Sequence, residues 1–97
     1  MQVKTTKEGE RLTVTIDGSI DTVTAPTLES SFDATGAKEI VFDITNVEYV
    51  SSAGLRVFLA THKALSAAGG KLTIVGASPS VSNVIRITGF SKIFNMA

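Results

Sequence analysis

The strongest constraint in this sequence is that short β-like patterns alternate with helical patterns along the chain. Apolar residues recur at every second position in some segments, as in a half-buried strand, and at helical spacing in others. The predicted order is β-β-α-β-α-β-α, with a short final strand at Ile93-Phe94. Because parallel strands need right-handed crossovers, this order predicts an α/β fold with a mostly parallel mixed sheet of about four or five strands, flanked by about three helices.

The strand segments divide into an N-terminal hairpin and two later strands. Gln2 to Lys7 pairs, in this prediction, with the alternating segment Leu12 to Ile16 across a turn at Glu8-Gly9-Glu10. The nearly continuous apolar run Ile40 to Ile44 predicts a strand that is covered on both faces and lies near the middle of the sheet. Lys71 to Val75 is the next β-rich run.

The first two helical segments are marked by their ends. The pattern from Thr24 to Thr35 has Pro26 in its first turn and Gly36 as a C-terminal cap. The second and longest helix follows Ser52 and stops at Gly69-Gly70.

The third predicted helix has the clearest start, with Ser78 as cap and Pro79 as its first helical residue, and it ends at Gly89. Its predicted buried stripe is Val81, Val84 and Ile85. Strands and helices together predict one core, formed by Leu12, Val14, Ile16, Val41, Ile44, Leu55, Phe58, Leu59, Leu72 and Ile74.

Composition narrows the classes of function. A chain of 97 residues, 43% of them hydrophobic, fits one domain over residues 1–97. Its formal net charge is zero, so the positive field that drives nucleic-acid binding is missing. It has no cysteine, no apolar leader and no run approaching the roughly 20 apolar residues of a membrane helix. We therefore expect a cytoplasmic protein that neither binds nucleic acid nor inserts into a membrane.

Catalytic chemistry finds no support in the residues. His62, the only histidine, lies ten residues beyond Ser52 on the same predicted helix, about 15 Å along its axis, too far to act as its base. The glycine that a hydrolase serine elbow needs is replaced by Val50. Carboxylates and glycines lack the spacing of a metal site or a phosphate-binding loop. We expect no catalytic residue, metal or cofactor, and we interpret His62 as a partly buried residue at the core margin.

The segment from Asn46 to Leu55 is the remaining candidate, because Ser51 and Ser52 lie where an extended segment turns into a helix. A serine at this position has a purely structural explanation, since its hydroxyl accepts a hydrogen bond from a free N–H of the first turn. Spacing alone therefore does not distinguish a functional serine from a helix cap.

The stretch from Phe42-Asp43-Ile44 through Val50-Ser51-Ser52-Ala53-Gly54-Leu55 resembles the signature of STAS domains, especially those of bacterial anti-sigma factor antagonists. In that family an aromatic-aliphatic pair, here Tyr49-Val50, precedes Asp-Ser-(Ser/Thr/Ala)-Gly-Leu at the start of a helix. Gly18-Ser19-Ile20-Asp21 resembles the family's Gly-x-(Leu/Ile)-Asp, and the block from Ser78 to Phe90 is similar in outline. Two departures stand out: Ser51 replaces the usual aspartate, and the sequence ends at Ala97 before the family's further helix.

The resemblance implies a protein-binding switch without enzymatic activity. Ser52 falls on the family's phosphorylated serine, so the unmodified protein would bind an anti-sigma factor that is also a serine kinase, and phosphorylation would end the interaction. A serine phosphatase would then restore binding. The implied partner-binding residues are Asp21, Thr22, Ser51, Ser52, Gly54 and Arg56. The alternative is a STAS module that is never phosphorylated and serves as a structural subunit of a lipid or anion transport assembly.

Overall fold

The chain begins with the predicted hairpin, in which β1 (Gln2–Glu8) pairs antiparallel with β2 (Arg11–Asp17). The turn between them contains Gly9, whose positive φ of 61° suits a residue without a side chain. This computed structural model describes residues 1–34 and 36–97. The elements that follow are α1 (Ala25–Ser30), β3 (Glu39–Asn46), α2 (Ser52–Ala67), β4 (Lys71–Val75), α3 (Pro79–Ile87), a 3₁₀ turn (Phe90–Lys92) and β5 (Asn95–Met96).

The five strands form one sheet in the order β1-β2-β3-β4-β5. Among the strands that the structure describes, only the hairpin pair is antiparallel, and β2, β3, β4 and β5 run parallel to one another. This is the predicted α/β fold with a mixed, mostly parallel sheet, and β3 occupies the predicted central position. Because every parallel crossover steps in the same direction, right-handed connections place the helices on a single face of the sheet.

The core lies between that face and the helices. In register across the sheet, Val14, Phe42 and Ile74 stand side by side and are fully buried. The Phe42 ring packs against Phe58 of α2, with 5.0 Å between ring centroids. Phe58 in turn contacts Phe94 edge-on at 6.2 Å, so aromatic rings connect the sheet to the C-terminal segment.

The opposite face of the sheet carries no helix among the described elements, which corrects the prediction that β3 is covered on both faces. Val41 and Asp43 are only half-buried, whereas Ile40 and Ile44, which point to the helices, are fully buried. The run from Ile40 to Ile44 suggested two covered faces because Val41 is apolar, but Thr13 and Thr73, its register neighbours, make this face a mixed one.

The first helix is shorter than predicted. It ends at Ser30 instead of Thr35, and Thr35 itself lies outside the described residues. The hydroxyls of Ser30 and Ser31 both donate to the carbonyl oxygen of Thr27, a local pairing that competes with helix continuation. Phe32 still reaches the core beyond the helix end, where its ring meets Phe42 edge-on at 5.4 Å.

Several predicted core positions lie at its margin. Leu12 and Leu59 are half-buried, and Val84 of α3 is 38% exposed, so the α3 stripe consists of Val81 and Ile85. The final strand is also shifted, because β5 is Asn95–Met96 while Phe94 packs in the core. His62 is partly buried beside the Phe94 ring, as predicted for a residue at the core margin. Of the helices that the structure describes, none combines the length and apolar character that a membrane crossing requires.

Candidate partner-binding surface and phosphorylation site

Two loops meet at the carboxyl ends of β2 and β3, and we call them the 18–24 loop and the 47–51 loop. They are joined by a parallel bridge between Ile20 and Val50. The Ile20 amide donates to the Tyr49 carbonyl oxygen at 2.9 Å, and the Ser51 amide donates to the Ile20 carbonyl oxygen at 2.8 Å. The sheet is thus extended by one short pairing just before α2 begins, and the start of α2 is held beside the 18–24 loop.

The two serines at the start of α2 differ in their hydrogen bonding and in their exposure to solvent. Ser51 is the N-cap, with extended backbone angles, and its hydroxyl oxygen accepts from the Gly54 amide at 3.4 Å. Ser52 is the first helical residue and is exposed to solvent. Among the described residues its hydroxyl has no hydrogen-bond partner. Ser51 is therefore occupied by capping, and Ser52 presents an accessible hydroxyl at the positive end of a 16-residue helix.

Gly54 explains how the helix comes so close to the 18–24 loop. A Cβ at this position would lie 2.7 Å from Ile20 Cγ2 and 2.8 Å from Val50 Cγ1. Gly54 is buried, so its place in the site is beneath the surface. The structure shows Gly54 packed closely against Ile20 and Val50, and its contact with a partner stays a prediction.

Asp21 organises the 18–24 loop. One carboxylate oxygen, Oδ1, accepts from the amides of Val23 and Thr24 at 2.9 Å each, and the Thr24 hydroxyl donates to the same oxygen at 3.2 Å. The bond from the Thr24 amide, with help from the Val23 amide and the Thr24 hydroxyl, holds the pKa of the Asp21 carboxyl below its ordinary value. Asp21 is half-buried, and its role in shaping this loop was not predicted from the sequence.

Thr22 and Arg56, also predicted at the partner surface, line a shallow groove between α1 and α2. Its volume is about 310 Å³, and Pro26 and Ala53 are among its other lining residues. Both Thr22 and Arg56 are exposed. Ser52 directly precedes the lining residue Ala53 and lies about one helical turn before the lining residue Arg56. The structure thus brings the predicted exposed residues to one end of the molecule.

Two apolar side chains on the same loops are exposed, and the sequence analysis did not single them out as binding candidates. Val23 is 82% exposed and Tyr49 is 56% exposed, although most large apolar residues of the chain are buried. Val23 could have been noticed as an apolar residue flanked by threonines in a connecting loop. Exposed apolar side chains beside polar residues are typical of a protein-binding surface.

The reactive group that this site offers is the exposed hydroxyl of Ser52, which is accessible for binding or for modification. Within the described part of the chain, no three histidine, aspartate or glutamate side chains lie close enough together to hold a metal ion. A phosphate on Ser52 would meet N–H groups of the first helical turn that have no partner within the helix, together with the helix dipole.

Comparison with known proteins agrees with this geometry. The family model for the STAS domain matches residues 2–97, and the chain belongs to that family. The anti-sigma-B factor antagonist of Staphylococcus aureus is 29% identical over 99 residues, which cover 99% of this chain and 92% of that protein.

Solved structures of anti-sigma factor antagonists are similar to this chain in fold. A crystal structure of an anti-sigma factor antagonist from Mycobacterium paratuberculosis is 30% identical, with a TM-score of 0.85 over 98% of this chain and 83% of that one. The Bacillus cell fate determinant SpoIIAA in its phosphorylated form shares the fold, with a TM-score of 0.78 over 99% of this chain and 91% of that one, at 15% identity.

Proposed function

We propose that this protein is an anti-sigma factor antagonist, a cytoplasmic switch that acts by binding and has no catalytic activity of its own. Unphosphorylated, it binds an anti-sigma factor that is also a serine kinase, and the bound sigma factor is released for transcription. The kinase phosphorylates Ser52 and ends the interaction, and a separate serine phosphatase restores it.

One observation carries this proposal: Ser52 is exposed on the first turn of α2, while the neighbouring Ser51 is engaged as the helix cap. A kinase needs an acceptor hydroxyl that can leave the protein surface and enter its active site. Ser52 can do so without loss of a hydrogen bond, whereas Ser51 would have to release the Gly54 amide. The replacement of aspartate by serine at position 51 therefore leaves Ser52 as the favoured acceptor.

The surroundings of Ser52 support the binding half of the proposal. Val23 and Tyr49 offer apolar area, and Thr22 and Arg56 offer polar contacts at the groove. Apolar residues inside a polar rim are the usual composition of a protein interface. A phosphate on Ser52 would place about −1.5 to −2 charges in the middle of such an interface. Unless the partner pairs that charge, its desolvation weakens the complex.

The test begins with the partner kinase, which a pull-down from the native cytoplasm should identify as an ATP-binding anti-sigma factor. The purified kinase and ATP are then incubated with wild type, Ser52→Ala and Ser51→Ala, and phosphopeptides are mapped by mass spectrometry. We expect phosphate on Ser52 in wild type and in Ser51→Ala, and none in Ser52→Ala. Phosphate confined to Ser51, or absent from both serines, would overturn the assignment.

The rival function, a structural subunit of a lipid or anion transport assembly, makes a different prediction. A structural subunit has no reason to carry phosphate on Ser52, so protein isolated from its native cell would be unmodified at that residue. The same pull-down would then recover transporter subunits in place of an anti-sigma factor.

A further inference from the structure

The edge strand β1 carries charged side chains whose spacing is complementary to that of a second copy of the same strand. β1 is the first strand of the sheet, and among residues 1–34 and 36–97 it pairs only with β2. Six of its seven residues are exposed, and Val3 is half-buried. The other edge of the sheet, β5, has only two residues. The unpaired N–H and C=O groups of β1 therefore form a long template for another strand.

A row of side chains with alternating charge crosses the face of the sheet that carries none of the described helices, and it ends at β1. Residues Glu8, Arg11, Glu39 and Lys71 are neighbours in register on β1, β2, β3 and β4. Arg11 Nε lies 2.8 Å from Glu39 Oε1, and Lys71 Nζ lies 3.6 Å from Glu39 Oε2. The signs alternate along the row, and it ends in the negative charge of Glu8. A positive side chain on an adjoining strand would continue it.

Symmetry limits which residue of a second copy can lie opposite Glu8. Two identical strands pair antiparallel about a twofold axis perpendicular to the sheet, so residues on the same face oppose each other. Because side chains on one face of a strand are two positions apart, two opposed residues have residue numbers that are both odd or both even. If the twofold axis passes beside Lys4 or Lys7, that lysine faces the same lysine of the other copy, and the like charges repel each other. A pair centred on Thr5 leaves Lys4 opposite Thr6, without a charge partner.

The pair centred on Thr6 is different, because it sets Lys4 of each copy opposite Glu8 of the other. Lys4 then supplies the positive charge that continues the alternating row beyond Glu8. Among the described residues, neither Lys4 nor Glu8 has an ion-pair partner within its own chain. Charges on an edge strand usually prevent pairing. Here their spacing gives opposite-charge pairs in the register centred on Thr6, and in none of the registers centred on Lys4, Thr5 or Lys7.

We propose that two copies of this protein associate through β1, antiparallel and centred on Thr6, to form a continuous ten-stranded sheet. The side chains of Thr5 and Lys7, on the helix side of β1, are exposed, so the partner strand meets no packed helix there. Thr6 opposes Thr13 of β2, whereas Gln2 opposes Asp17 next to the 18–24 loop. The axis is thus displaced towards the hairpin turn, and both Ser52 surfaces stay accessible in the dimer.

Charge reversal tests the register. Lys4→Glu sets two carboxylates against each other in both charged pairs of a homodimer, and Glu8→Lys sets two lysines against each other. Sedimentation equilibrium of the full chain at low salt should show a concentration-dependent dimer for wild type and dissociation constants about ten to a hundredfold higher for either single variant. An equimolar mixture of the two variants brings opposite charges together again, so it should recover a heterodimer that is tighter than either variant homodimer.

The matched control is Lys7→Glu, which makes the same change of charge on the same strand but faces Thr5 in this register. It should alter the dissociation constant far less than Lys4→Glu, and thermal unfolding should show that all variants are folded. Wild type that is monomeric at every accessible concentration would overturn the proposal. A dimer that is insensitive to Lys4→Glu, or one that the mixture fails to restore, would overturn it equally.

Discussion

Helices α2 and α3 begin in nearly the same way but in different surroundings. Each has a serine N-cap in extended conformation: Ser51 accepts from the amide of the third helical residue at 3.4 Å, and Ser78 does so at 3.2 Å. The residue after the cap is Ser52 in α2 and Pro79 in α3. The Ser78 hydroxyl also lies 3.3 Å from that of Ser80, so α3 too presents more than one hydroxyl at its start.

The difference lies in what stands beside each start. α2 begins where the 47–51 loop is paired with the 18–24 loop through Ile20 and Val50. The third helical residue is Gly54 in α2, which permits this close approach, and the buried Val81 in α3, which packs in the core. A capping serine is therefore a local solution to helix geometry. A candidate site arises only where a second loop and exposed apolar side chains gather around the helix start.

The largest effect should come from negative charge at the start of α2. Phosphorylation of Ser52 should weaken binding to the anti-sigma partner by about 2–5 kcal/mol, the range for a disrupted buried charged contact. This corresponds to roughly thirtyfold to several thousandfold in affinity. Ser52→Asp, a weaker mimic, should fall at the low end, while Ser52→Ala should bind like wild type. Isothermal titration calorimetry with the purified partner measures each variant.

The α3 start provides the control. Ser80→Asp adds the same charge to the first turn of α3 and should leave binding unchanged. Because helix N-termini accept negative charge, neither aspartate variant should lower the thermal unfolding midpoint. An equal loss of binding in Ser80→Asp would mean that the contrast between the two helix starts has no functional meaning.

A smaller effect is expected from Gly54→Ala. Replacing glycine by alanine inside a helix normally stabilises it by about 1 kcal/mol. Here the new methyl group would press on Ile20 and Val50 at 2.7 and 2.8 Å, so we expect a net loss of about 1–3 kcal/mol in the free energy of unfolding. Urea denaturation gives the sign directly. Ser82→Ala on the exposed side of α3 should instead be neutral or slightly stabilising, and a gain for Gly54→Ala would refute the close approach of α2 to the loop.

Removal of the two caps should cost less again. Ser51→Ala and Ser78→Ala should each lower the free energy of unfolding by about 0.5–2 kcal/mol. The longer hydrogen bond of Ser51 places its variant nearer the lower end. Chemical denaturation of both variants measures the difference, and phosphopeptide mapping of Ser51→Ala should still find Ser52 modified. A larger cost for Ser51→Ala than for Ser78→Ala would show that Ser51 contributes more than a cap.

The smallest expected effect is the pH dependence due to Asp21. Its pKa is lowered in the folded protein by hydrogen bonds from the Thr24 amide, the Val23 amide and the Thr24 hydroxyl, and folding therefore favours the carboxylate form. The resulting stability is present above the ordinary pKa of 3.8 and is lost as the pH falls through the lower folded value. A carboxyl NMR titration should find the lowered pKa and a partial rise in Thr24→Val, and Asp21→Asn should remove this segment of the pH profile. An unshifted Asp21 would mean that the loop is not organised around it.

Much of this fold follows from local patterns. The hairpin, the central position of β3 and the start of α3 at Ser78-Pro79 were all predicted, because period-two alternation, helix caps and glycine turns act over a few residues. The first helix was overextended to Thr35 because Phe32 continues the helical spacing. In the structure it reaches the core from beyond the helix end, and no short-range pattern distinguishes these two routes to burial.

Sequence by itself determined the family resemblance, the order of elements and the position of Ser52 near the start of α2. Tertiary structure decided which serine is available: only the placed backbone shows Ser51 accepting from the Gly54 amide while Ser52 faces solvent. It also decided that Gly54 lies buried against Ile20 and that Val23 and Tyr49 are exposed on adjoining loops. Exposure and close approach depend on segments about thirty residues apart being packed together, whereas local patterns record only what each segment prefers by itself.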